Sequence, residues 1–172
     1  MKKQIVKPYS SSQKSKAQRK TRSSRGLRTG NCESFNFILE PSCSILSSDD
    51  FKKIEIARNG LPYSMIENLS EALNKPVISV LDILGVAQTT YNTNKKKDNA
   101  LSSSSSELII LIMDLVNYGI EVFNKENDKF LLWLNTSNVM LRNNTPLSLL
   151  DTTIGVNEVK LCLDRIEYGN FA

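Results

Sequence analysis

Two absences limit the chemistry open to this 172-residue chain: it has no histidine, and its cysteines, Cys32, Cys43 and Cys162, show no C-x-x-C spacing. Without histidine the commonest general base and a principal zinc ligand are gone. An odd set of scattered thiols suggests neither a metal site nor a disulfide framework, and free thiols in a reducing, cytoplasmic compartment are expected. No G-x-G-x-x-G loop is present to hold a dinucleotide. Lys, Asp and Tyr can do acid–base work, but nothing in their arrangement here recommends it. The residues therefore predict no catalysis, no cofactor, no metal and no small-molecule substrate. What remains is recognition chemistry, in two places. The first is the run Gln88, Thr89, Thr90, Tyr91, Asn92, Asn94, Lys95, Lys96 and Lys97. Glutamine and asparagine amides can pair bidentately with adenine, threonine can meet the thymine methyl, and lysines suit phosphates. The second is the C-terminal end, where Tyr168, Gly169, Asn170, Phe171 and Ala172 close the chain. Two aromatics on an otherwise small tail can fill an apolar cleft, and aromatics dominate interface hot spots.

The elements that must position these residues read as helices. Hydrophobic residues make up 40% of the chain, enough for an ordinary core, and the longest apolar run, Leu108 to Met113, is too short to span a bilayer. Residues 1–30 hold ten Lys or Arg and no acid, while the rest carries twelve basic and eighteen acidic groups. Such a first segment buries too little apolar surface to offset its conformational entropy and is expected to be a disordered basic arm, either contacting phosphates or simply solvated. Residues 31–47 read as an extended connector, with Phe35, Phe37 and Leu39 alternating.

From Ser48 the pattern turns helical. Ser48 caps a helix with Asp49 and Asp50 in its first turn and Phe51, Ile54 and Ala57 on one face, ended at Asn59-Gly60. Pro62 suits the first turn of a second helix, whose face is Met65, Ile66, Leu69 and Leu73. Asn74-Lys75-Pro76 breaks it, and Val77, Val80, Leu81 and Leu84 face inward from a third. Gly85 turns the chain into the polar helix of about 87–96. A short helix, a tight turn and a polar helix with a basic end is a helix-turn-helix layout over 48–101, although a solvated surface helix in a bundle reads the same way. The serine run 102–106 caps a long helix with Leu108, Leu111, Ile112, Leu115, Gly119, Val122 and Phe123 on one face. Its wide apolar surface predicts a domain centre and a homodimer contact. Asn124 caps the next helix, Thr145-Pro146 starts a short one, Gly155 interrupts the chain, and a final helix of about 156–168 faces Val156, Val159, Leu163 and Ile166 inward before Gly169 ends it.

The order Trp133-Leu134, Asn138, Leu141, Thr145-Pro146-Leu147, Gly155 and Arg165-Ile166-Glu167-Tyr168-Gly169 resembles the C-terminal signature of the Xre/MbcA/ParS antitoxin family, the neutralising halves of RES-type toxin–antitoxin pairs. The resemblance runs back more weakly to Gly60-Leu61-Pro62 and leaves the first fifty or so residues unexplained. It implies an all-α fold, with a small helix-turn-helix-like module followed over 102–172 by a toxin-binding domain. It implies a partner, a RES-domain toxin that consumes NAD, with NAD held by the toxin. On this resemblance Trp133, Asn138, Leu141, Pro146, Arg165 and the tail Tyr168 to Ala172 bind the toxin, the tail plugging its active-site mouth, and the polar helix binds operator DNA. One departure stands out: Thr90-Tyr91 replace the family's Thr-Leu, and Thr93-Asn94 stand in place of its paired arginines, the charge moving to the lysines that follow. A stand-alone helix-turn-helix regulator is the alternative; a small enzyme has no residue constellation behind it.

Overall fold

The computed structural model describes residues 49–169, and among these the chain is helical, with no strand beyond two isolated bridges, Pro62 with Ala100 and Asn138 with Asn144. The arm 1–30, the connector 31–47, Ser48, Cys32, Cys43 and the final residues Asn170, Phe171 and Ala172 lie outside the described residues. Helix α1 is Asp50–Asn59, α2 Met65–Ala72, α3 Val77–Ile83, α4 Gln88–Lys96, α5 Ser103–Val122, α6 Asn127–Asn135 and α7 Thr153–Glu167. Two 3-10 turns, Val139–Leu141 and Pro146–Leu149, connect α6 to α7. None of these helices is long and apolar enough to cross a membrane.

Helix α5 is the axis. Its residues Leu108, Ile109, Ile110, Ile112, Met113, Leu115, Val116 and Gly119 are buried. They meet α1 and α2 on one side and α6 and α7 on the other, so one continuous apolar core runs from Ala57 to Leu163. The serine run is a helix start, as the sequence predicts: the Ser102 side chain accepts a hydrogen bond from the Ser105 N–H. Ser106 goes further than a cap. Fully buried, its hydroxyl accepts from the Leu61 N–H at 2.9 Å and donates to the Ser102 carbonyl at 2.8 Å. With Leu101 N–H donating to the Leu61 carbonyl at 2.8 Å, this stitches the chain after α1 to the start of α5.

Four local expectations are corrected. Phe51 and Ile54 do not face the core: they are 79% and 46% exposed. Helix α1 instead docks through Ala57, half-buried Ile56, and Lys53, whose ammonium pairs with Asp114 of α5 at 2.8 Å. Pro62 precedes the second helix rather than opening it, because its segment pairs with Ala100 and the helix begins at Met65. Asn124 does not cap α6. It and Lys125 take left-handed backbone angles, φ 55° and 65°, which asparagine tolerates in a reversal, and the helix starts after Glu126. Gly155 does not interrupt the chain; it lies in the first turn of α7, where its N–H donates to the Thr152 side chain, which caps that helix. A side chain there would meet the Leu149 carbonyl oxygen at 1.9 Å, so only glycine fits.

Candidate functional site

The polar helix α4 forms as expected, after a turn in which Gly85 adopts φ 63°. Its residues divide into two sets. Tyr91 is buried; its ring lies 6.2 Å from that of Tyr63 and its hydroxyl donates to Glu67 of α2. The Asn94 amide donates to the Tyr63 hydroxyl at 2.9 Å. Lys95 forms an ion pair with Glu67 and sits 5.6 Å from the centre of the Tyr91 ring. These contacts leave charge signatures. The bond from Lys95 holds the Glu67 carboxyl below the usual carboxylate range, and Glu67 in turn raises Lys95. Burial pushes the Tyr91 hydroxyl up. Tyr91, Asn94 and Lys95 are therefore turned to the scaffold, whereas Gln88, Thr89, Thr90, Asn92, Lys96 and Lys97 face solvent. The sequence reading missed Glu67 and Tyr63, which hold the polar helix to α2; an acid and a tyrosine flanking an apolar run were the available signal.

The C-terminal residues divide the same way. Trp133 is half-buried, with ring centres 5.8 Å from Phe123 and 6.2 Å from Phe130. Asn138 opens the first 3-10 turn: its side chain accepts from the Met140 N–H at 2.9 Å, and its amide donates to the Cys162 sulfur at 3.4 Å. Burial raises the Cys162 thiol, against a smaller opposing pull from Arg165, so this cysteine is a poor nucleophile. Leu141 and Pro146 are buried, and Thr145 caps the second 3-10 turn as its sequence predicts. Trp133, Asn138, Leu141 and Pro146 thus build the platform. Arg165, Tyr168 and Gly169 stand at its surface, Tyr168 72% exposed and Gly169 at φ 66°.

One further residue positions this end. Tyr118 of α5 brings its hydroxyl to 2.6 Å from Asp164 and 2.5 Å from Glu167. It has one proton to donate, so it serves the two carboxylates in alternation. Burial, then the bonds to both acids, push its own ionisation well above the tyrosine range. The last turns of α7 are anchored to α5 by this contact. Among the described residues, no group of His, Cys, Asp or Glu is arranged to hold a metal ion.

Among the described residues, the helical platform thus fixes one polar helix, α4, and presents Tyr168 at the end of α7. Residues 119–169 match the family model described as the antitoxin Xre/MbcA/ParS C-terminal toxin-binding domain. The chain is also similar to the Antitoxin Xre of Photorhabdus laumondii subsp. laumondii, 25% identical over 114 residues, or 66% of this chain and 77% of that protein. The Antitoxin Xre of Yersinia enterocolitica is 22% identical over 119 residues, 69% of this chain and 80% of its own length. Together these matches support the Xre/MbcA/ParS antitoxin family, as the C-terminal signature implies, and with it an antitoxin of a toxin–antitoxin system.

Proposed function

We propose that this chain neutralises a RES-type, NAD-degrading toxin in the cytoplasm by placing its C-terminal end, Tyr168 to Ala172, in the mouth of the toxin's active site. The observation that carries this reading is the exposure of Tyr168, 72%, at the end of a helix anchored by Tyr118 and inside the segment that matches a toxin-binding domain. An aromatic held on a rigid helix and left without a core position loses little entropy on binding. The chain contributes no catalytic group: it acts by occlusion, and NAD belongs to the toxin. In this reading 48–101 is the helix-turn-helix-like half and 102–172 the toxin-binding half, with α5 packed against helices of both in the one core. Autoregulation of the operon rests on the solvent face of α4, where Gln88, Thr89, Thr90 and Asn92 are free to meet bases and Lys96 and Lys97 to meet phosphates. A homodimer, as expected of a repressor that reads two half-sites, completes the proposal.

Deleting Tyr168 to Ala172 tests the occlusion. Helical content should be nearly unchanged, while rescue of toxin-expressing cells is lost. Removing a well-buried aromatic anchor costs roughly 2–4 kcal/mol, about 30- to 1,000-fold in affinity. A truncated protein that still protects cells and still holds the toxin with unchanged affinity sinks the plug model.

A further inference from the structure

Helix α7 is apolar on two sides. Val156, Val159, Cys162 and Leu163 are buried in the core. On the outer side Ile154 is 75% exposed, Leu161 48% and Tyr168 72%. These three are spaced by seven residues, and at about 100° per residue each step of seven returns to within about 20° of the same line. They therefore form one stripe, about 21 Å long at the helical rise. Exposed Glu158 and Arg165 follow Ile154 and Leu161 by four residues and edge the stripe with one acid and one base. A surface helix ordinarily places polar residues opposite its core face. Apolar groups repeated there add nothing to the fold of a single chain, and with a charged rim they have the anatomy of an interface.

We propose that this outer face of α7 is a second docking surface for the toxin, continuous with the tail. The inference rests on the toxin-binding reading above and extends it from the chain end to the whole helix. The choice of occupant follows from position. The stripe lies entirely within the segment that matches a toxin-binding domain, and it ends at Tyr168, the residue from which the tail departs. The partner surface it fits is an apolar shallow groove flanked by a cation opposite Glu158 and an anion opposite Arg165. Tyr118 fixes the helix that presents it, so binding orders few new groups.

The test uses the full chain and the purified product of a RES-type reading frame found adjoining its gene, with affinity measured for Ile154→Glu, Leu161→Glu and Arg165→Glu and for the tail-deleted chain. Each substitution should weaken binding about tenfold or more, with the helical spectrum and melting temperature held, because the side chains replaced are exposed. Should Leu161→Glu disturb folding, Arg165→Glu at the rim reads the same surface through affinity and salt dependence. Wild-type affinity in all three variants overturns the stripe while leaving the tail model standing. No binding by the wild-type chain removes the toxin reading and this inference with it. Loss of self-association by light scattering, with toxin affinity unchanged, makes the stripe a contact between copies of this chain and equally overturns it.

Discussion

Gly119 shows how a single residue decides packing here. It lies inside α5, where alanine is favoured over glycine by about 1 kcal/mol on helix propensity alone. A methyl group at this position would sit 2.2 Å from the Phe130 ring of α6, which is fully buried. Overpacking of this kind costs about 1–3 kcal/mol, so the clash outweighs the propensity gain. Gly119→Ala is expected to lower the urea midpoint, and Phe130→Leu in that background to recover part of the loss; a raised midpoint in the single variant would refute the packing argument. The Glu67–Lys95 pair gives a prediction in pH. Glu67 is held below its ordinary range, so its contribution is complete at neutral pH and disappears as pH falls through the folded-state value. Lys95 is raised, so its contribution persists below the ordinary lysine range and disappears above it. Both side chains are more than two-fifths exposed, so solvent screens the pair and its contribution to stability is small. Glu67→Gln should be the less stable protein in neutral urea titrations, and the difference should shrink as the pH is taken below the ordinary carboxylate range. A difference unchanged by acid would remove the pair as its cause.

At the level of elements, periodicity carried most of the fold. The faces of α2 and α5 were legible because apolar residues recur there at helical spacing, and the caps at Ser102 and Thr145 because their side chains act on the next turn. Orientation was less legible. The apolar residues of α1 do not say which flank will dock, and an ion pair with Asp114, 61 residues away, turned Lys53 inward and Phe51 outward. Tyr91 read as part of a base-contacting face because its partner, Glu67, lies on another helix. The structure narrows the DNA prediction accordingly. Gln88→Ala should cost about 1–3 kcal/mol at one base position. Lys96→Ala should weaken every sequence alike and reduce the salt slope by about 0.9. Tyr91→Phe should lower stability by about 1 kcal/mol with base preference intact, since its hydroxyl serves Glu67. Competition titrations on the native upstream region and on random duplex separate these outcomes. Equal affinity of the wild type for both would exclude operator recognition.

For the whole molecule the open question is where a second copy would sit. The sequence placed the dimer contact on the wide apolar face of residues 108–123, but much of that width is spent within the chain: Leu108, Ile109, Ile112, Leu115 and Val116 all lie in its core. Among the half-buried apolar residues of α5, which include Ile120 and Val122, Leu111 lies on the wall of a groove shared with Ile54 and Ala57 of α1 and edged by Asp50, Lys53, Arg58, Glu107 and Asp114. Both signs of charge line it, which suits a two-fold pairing in which each copy offers the other its complement. The two leucines four residues apart should then behave differently. Leu115→Asp buries an unpaired charge and should unfold the chain, because a carboxylate in an apolar core has no water to replace. Leu111→Asp should leave the fold standing and shift a dimer to a monomer in light scattering at micromolar concentration. A wild-type chain that is already monomeric there ends the dimer proposal. A dimer that survives Leu111→Asp moves the contact away from this groove, to the outer stripe of α7 or to another face.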